Sequence, residues 1–389
     1  MRIGFLFNHY SPHQMPHAAP YAYELSRRYP EFEVVIVTSS EAEVAMARSI
    51  GALYPGHRCR LARLYSAWWY RLIDPLVSLL VFGRKNRILK DNLDFFRGLD
   101  ALVSPERHCR RLHTQYGLQQ LKLIHTRHGA GDREGTREEE VALFDFVLLP
   151  GQKNVDRLAA AGYLKPGRYV VTGYPKFEVI RGWDRGRRRL FDNPNPVVVY
   201  NPHFYQPLSS WSSMGHAVLD FFVAHPQYNL IFAPHAVLFE RRWRHHASLP
   251  ARYKKASNIL IDTDSPALSD MTYTLAADIY LGDVSSQIYE FLLEPRPCIF
   301  LNGHKVAWEN NPHYAHWRFG QVIDDVAREL GPALAAASDT HPRFLPEQLA
   351  GFAYTFYEES GSTAAQRGAD AIATFVVGDS QAAVSLSAA

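Results

Sequence analysis

Cysteine is scarce in this chain of 389 residues, with three in all. Cys59, Cys109 and Cys298 stand far apart and are odd in number, which excludes a disulfide framework and any zinc-ligand spacing. The simple expectation is a reducing, cytoplasmic setting. An excess of one charge is missing too. Lysine and arginine number 42 against 39 acidic residues, a net charge of +3. That is too mild a balance for a nucleic-acid binder, and no nucleic-acid partner is expected. It suits an anionic ligand or an anionic membrane surface. Long unbroken apolar runs are also lacking. Met1–Phe7 is apolar but soon meets His9, His13 and His17 and has no small-residue cleavage pattern, so it reads as a buried strand rather than a signal peptide. No internal repeat is visible.

Apolar residues are plentiful, at 47%, and a chain of this length suggests about two domains. Short β-branched runs alternate with helical stretches. Strands are expected at Ile3–Phe7, Phe32–Thr38, Asp100–Val103, Lys122–His125, Phe146–Leu149 and Tyr169–Thr172. The basic stretch Gly182–Arg189 and the breaker cluster Asn193-Pro194-Asn195-Pro196 then mark a domain boundary. The pattern restarts at Val197–Tyr200, Asn229–Ala233, Ile259–Ile261, Ile279–Leu281 and Cys298–Leu301. Alternating β and α elements predict parallel sheets covered on both faces. The expected division is 1–181 as an acceptor lobe, 182–378 as a donor lobe closed by C-terminal helices, and 379–389 as a fraying tail.

Leu61–Phe82 is rich in Trp, Tyr and Leu and is flanked by Arg58, Arg60 and Arg63 before it and Arg84, Lys85, Arg87 and Lys90 after it. Arg71, Asp74 and Pro75 interrupt it, which argues against a membrane span. The pattern fits an interfacial segment docking on anionic lipid, or a pair of helices packed in the first lobe.

Five segments could carry chemistry, each just beyond an expected strand, where open α/β sheets bind ligands. His125-Thr126-Arg127-His128-Gly129-Ala130-Gly131-Asp132 offers histidines suited to proton transfer. Gly173-Tyr174-Pro175-Lys176-Phe177-Glu178 reads as a rigid turn presenting a cation and a carboxylate. Tyr200-Asn201-Pro202-His203 and Ala233-Pro234-His235 each end a strand of the second half. Gly282-Asp283-Val284-Ser285-Ser286, followed by Glu290, is the strongest. Asp283 or Ser285 would cap a helix whose free N–H groups favour an anion, with the serine hydroxyls adding hydrogen bonds. The plain alternatives are ordinary caps and solvated histidines, since the chain holds 18 of the latter.

Together these segments resemble the CDP-glycerol glycerophosphotransferase family, the teichoic-acid-type enzymes of GT-B fold. The resemblance runs discontinuously from about Leu121 onward. His128-Gly129 is similar to the family's His-Gly motif, and Gly282-Asp283-Val284-Ser285-Ser286 to its Ser-Asp-Tyr-Ser-Ser motif. Gly173–Glu178 matches its Gly-Tyr-Pro-Arg-Asn-Asp turn with Lys, Phe and Glu in place of Arg, Asn and Asp. Tyr200–His203 and His235-Ala236 match with substitutions, and Glu359-Ser360-Gly361-Ser362 resembles a late Asp-Gly segment. The resemblance implies two Rossmann-like lobes with parallel sheets facing a cleft. It implies transfer of glycerol phosphate from CDP-glycerol to a hydroxyl of a lipid-linked acceptor in envelope polymer synthesis, on the inner face of the membrane. His128 would be the base and His235 would stabilise developing charge or protonate the leaving nucleotide. Ser285, Ser286, Asp283, Glu290, His203 and Lys176 would serve the donor. No metal and no tightly bound cofactor are implied. Three other readings stand beside it: a glycosyltransferase using a nucleotide sugar, a nucleotide-sugar 2-epimerase (disfavoured because its carboxylate pattern is not evident) and a non-catalytic scaffold.

Overall fold

The structure is a computed structural model that describes residues 1–8, 12–66, 81–127, 130–132, 137–183, 188–239 and 249–387. Two compact units emerge. The first comprises Met1–His128, Gly135–Trp183 and Thr355–Ala389, and the second Gly129–Glu134 and Asp184–Tyr354.

The first unit holds seven parallel strands: β1 (Arg2–Phe7), β2 (Glu33–Thr38), β3 (Arg60–Arg63), β4 (Ala101–Ser104), β5 (Lys122–Thr126), β6 (Phe146–Leu149) and β7 (Tyr169–Val171). They lie in the order β3-β2-β1-β4-β5-β6-β7. Alternation along each strand feeds both faces. Phe5 and Ile36 enter one apolar cluster, and their neighbours Leu6 and Val35 enter the other. A sheet buried on both sides needs such near-continuous apolar strands.

The second unit repeats the plan with β8 (Val197–Asn201), β9 (Asn229–Phe232), β10 (Ile259–Ile261), β11 (Ile279–Gly282), β12 (Cys298–Leu301) and β13 (Gln321–Ile323). The order is β10-β9-β8-β11-β12-β13, again all parallel. Both orders reverse direction beside the unit's first strand, as in doubly wound nucleotide-binding sheets. In the second unit this switch point lies between β8 and β11. The helices His216–Ala224 and Val326–Ala335 cover one face, burying Val218, Phe222 and Leu330 against Val198, Leu230 and Leu281.

The C-terminal arm departs from the expected division: Thr355–Ala389 belongs to the first unit and not to the second. Its helix, Ala364–Ser387, lays Ala365, Ala369, Ile372, Ala373 and Val376 into the core around β1. The small face is needed there, because a Cβ on Gly368 would overlap the Tyr21 ring. Arg28 adds a two-pronged ion pair to Asp370 at 2.8 and 2.9 Å. This helix also spans most of the stretch from 379 that was expected to fray. The strands β3 and β13 were not anticipated. Both lie at sheet edges, and β3 is exposed on its outer half and arginine-rich, so neither presents a buried β-branched run. Leu61–Arg63, read as the start of a docking segment, is thus sheet edge, and residues 67–80 lie outside the described residues. Among the described residues no helix is long and apolar enough to cross a membrane.

Candidate nucleotide-phosphate site

The strand β8 ends at Asn201 and β11 at Gly282, side by side at the switch point. Asp283 follows β11 and is wholly buried. Its carboxylate accepts hydrogen bonds from the backbone N–H of His203 (2.9 Å), Ser210 (2.6 Å) and Val284 (2.6 Å), and from the Ser210 hydroxyl (2.8 Å). Burial pushes its pKa above the ordinary value, and the bonds from Ser210, His203 and Val284 oppose that shift. Asp283 therefore ties the loop after β8 to the end of β11. This corrects the expected role of helix cap. The helix it was to cap spans only Gln287–Phe291 and has no side-chain capping bond.

Ser285 is 4% exposed, and its hydroxyl accepts from the Gln287 N–H at 3.3 Å. Ser286 occupies the N-cap position of this helix and is exposed. Glu290 lies buried in the same helix. The turn thus presents the exposed Ser286, while the first-turn N–H groups of Gln287, Ile288 and Tyr289 bond the Ser285 hydroxyl, the Ser285 carbonyl and the Ser286 carbonyl.

His203 and His235 meet through their loops. The His235 N–H bonds the Pro202 carbonyl at 3.0 Å, and Asn201 reaches the Ala233 carbonyl at 2.6 Å. The Phe204 ring stands 4.5 Å from that of His203 and 4.6 Å from that of His235, and the two imidazoles are 5.8 Å apart. Each Nδ1 accepts a backbone N–H two residues on, from Tyr205 (3.0 Å) for His203 and from Val237 (3.3 Å) for His235. The neutral rings therefore carry their proton on Nε2. Burial lowers His235 to about 4, so at neutral pH this ring is an uncharged N–H donor. Only about one molecule in a thousand would hold the imidazolium at pH 7.

A second set of residues, for which no local pattern is a cue, holds this turn from behind. The His316 ring is 2% exposed. Its Nδ1 lies 2.7 Å from Asp132 Oδ2, and its Nε2 donates to the Asp283 carbonyl at 2.9 Å. The backbone N–H of His316 also bonds Asp132, at 3.0 Å. Trp317 Nε1 donates to the Asp283 carbonyl at 2.9 Å, and the Tyr289 hydroxyl donates to the other Asp132 oxygen.

Not every expected residue falls here. Lys176 lies in the first unit, opening the helix Lys176–Gly182, and is 3% exposed. Glu178 does not present its carboxylate as a ligand group: it accepts from the Ala365 N–H (2.9 Å) and the Tyr54 hydroxyl (3.4 Å), so it caps the C-terminal helix. Burial raises its pKa. His128 lies outside the described residues. Among the described residues no group of His, Cys, Asp or Glu could hold a metal ion.

No protein-family model matches the chain, and no curated protein matches it. Solved structures do. The wall teichoic acid polymerase TagF, soaked with CDPG, aligns over 97% of this chain and 89% of its own with a TM-score of 0.62 at 15% identity. A putative UDP-N-acetylglucosamine 2-epimerase from Listeria monocytogenes aligns over 96% of each chain with a TM-score of 0.61 at 16% identity. The S. aureus MnaA–UDP complex covers 96% of this chain and 95% of its own, with a TM-score of 0.61 at 11% identity. Likeness at such identities is likeness of fold, and the fold is GT-B: two α/β units with parallel sheets of seven and six strands.

Proposed function

We propose that this chain is a transferase that takes a nucleotide-activated donor on its second unit and moves glycerol phosphate from CDP-glycerol to a hydroxyl of a lipid-linked acceptor. The observation that carries the reading is the Asp283-centred switch point, where one buried carboxylate organises both the His203 loop and the Ser285-Ser286 turn. Two imidazoles whose Nδ1 atoms accept backbone N–H groups, leaving Nε2–H to donate, and a turn with an exposed serine suit phosphate oxygens better than a reacting carbon. The resemblance of the Ser-Ser segment to glycerophosphotransferases supports the choice of donor, as does the likeness of fold to TagF.

In this reading the acceptor hydroxyl gives its proton to His128 and attacks the β-phosphorus. The bond between that phosphorus and the oxygen bridging to the α-phosphate breaks, and CMP leaves. Ser285 and Ser286 hold the pyrophosphate. His235, with His203 beside it, donates to the oxygen on which charge grows, the kind of fixed-dipole stabilisation that phosphoryl transfer relies on. His235 acts as a neutral donor and not as the acid, because its imidazolium is so sparsely populated at pH 7. Glu290 orders the helix, and Lys176 acts in the first unit by supporting the turn. Work on a lipid-linked acceptor places the protein at the inner face of a membrane.

A second reading has its own support. A structure named as a putative UDP-N-acetylglucosamine 2-epimerase and the MnaA–UDP complex share the fold to nearly the same degree as TagF, so a UDP-linked sugar is the competing donor. The fate of the β-phosphate separates the two. With CDP-glycerol labelled at that phosphate and water as a slow acceptor, the proposal expects CMP and labelled glycerol phosphate. Turnover of a UDP-sugar with both phosphates kept on the nucleotide would move the assignment to a glycosyltransferase or epimerase.

A further inference from the structure

The buried group behind the switch point has no part in the chemistry proposed above, yet five hydrogen bonds meet in it. Asp132 comes from a segment that lies between β5 and β6 in sequence but packs within the second unit. Its carboxylate accepts from the His316 backbone N–H and the Tyr289 hydroxyl and lies 2.7 Å from the His316 ring nitrogen Nδ1. His316 passes the constraint on through its Nε2 bond to the Asp283 carbonyl. That carbonyl belongs to the peptide joining Asp283 to Val284, one residue before Ser285. The residue preceding Asp132 completes the arrangement. A Cβ on Gly131 would stand 3.3 Å from the Ser286 Cβ, so the backbone of this segment runs directly against the exposed serine.

We infer that Asp132 and His316 are positioning residues for the nucleoside diphosphate: they fix the Asp283–Ser286 turn and hold the Gly131 backbone against Ser286, so that the diphosphate meets a serine turn already in place. The inference rests on the nucleotide reading given above. The energy comes from rigidity. A buried carboxylate that accepts from a backbone N–H and a hydroxyl cannot shift without leaving those donors unsatisfied, and a site whose supporting shell is fixed loses less order on binding.

The test is calorimetric titration of the full chain with CDP and with UDP, alongside thermal unfolding. Asp132→Ala is expected to weaken the tighter of the two nucleotides about tenfold or more. Asp132→Asn keeps an oxygen that accepts from His316 and an amide that can donate to the Tyr289 oxygen, so it is expected to recover affinity to within about threefold of wild type. Tyr289→Phe removes one bond only and covers the case in which the alanine variant does not fold; a loss of about threefold is expected. Unchanged affinity in a folded Asp132→Ala, or in Tyr289→Phe if the alanine variant does not fold, overturns the inference and leaves the proposed function standing. Asn recovering nothing while stability returns also overturns it. A wild-type protein that binds neither CDP nor UDP removes the proposed function, and this inference with it.

Discussion

Replacing Asp283 with asparagine changes one oxygen to an amide and little else in shape, which makes the outcome calculable. One carboxylate oxygen faces the His203 and Val284 N–H groups at 2.9 and 2.6 Å. The other faces the Ser210 N–H at 2.6 Å and its hydroxyl at 2.8 Å, with the His203 N–H again at 3.2 Å. Whichever way the amide turns, its NH2 points at two or more donors. The serine hydroxyl can rotate to accept, but the backbone N–H groups cannot. Flipping therefore leaves one or two buried N–H groups unsatisfied, at roughly 1–3 kcal/mol each. A loss of about 1–6 kcal/mol follows, a large share of the 5–15 kcal/mol that holds a typical domain together. Urea unfolding reports it, read through tryptophan fluorescence, because Trp317 is buried and bonded to the Asp283 carbonyl. A loss under about 1 kcal/mol with an unchanged m-value would refute the claim that this carboxylate ties the two loops together.

Other expectations follow from the same geometry. His235 has a folded-state pKa of about 4 against an ordinary 6.5, so its contribution to stability is complete above about pH 6.5. It is lost as pH falls toward and through 4, because the unfolded chain takes up the proton first. His235→Asn should lose less stability than wild type over that window in urea titrations at stepped pH, and equal slopes would contradict the assignment. Gly368→Val forces side-chain atoms into the Tyr21 ring. It should cost about 2 kcal/mol or more by overpacking between the C-terminal helix and the helix Ala19–Arg28, measured by thermal unfolding; full tolerance would mean that the two helices are not in close contact. His203→Ala removes the stacking partner of Phe204 and one Nε2–H donor, and should weaken nucleotide binding about tenfold with little change in melting temperature.

The sheets were legible because buried parallel strands must be short and continuously apolar. Eleven of the thirteen strands, including Phe146–Leu149 and Cys298–Leu301, begin and end within about two residues of their expected bounds. Edge strands escape that logic, as Arg60–Arg63 does, since one of their sides need not be apolar. The switch-point segments were legible too, because turn residues directly after a buried run can only lie at a strand's carboxyl end. Their partners were not. Asp132 and His316 are 184 positions apart, and nothing in either neighbourhood signals the other. Asp283 was read as a helix cap because local spacing suggested it, whereas its bonds run to residues 73 and 80 positions away. The C-terminal helix was assigned by chain order. Its small-residue face at Ala365, Gly368 and Ala369 shows that it packs closely against something, but not which unit supplies the partner.

If the turn at Ser285-Ser286 receives the phosphates of a nucleotide donor, calorimetric titration of wild type and Ser286→Ala with CDP-glycerol will register it. Saturable binding by wild type and a loss of about tenfold in the variant, from one hydrogen bond to a charged group, are expected at an unchanged melting temperature. Equal affinity in the two proteins would contradict it.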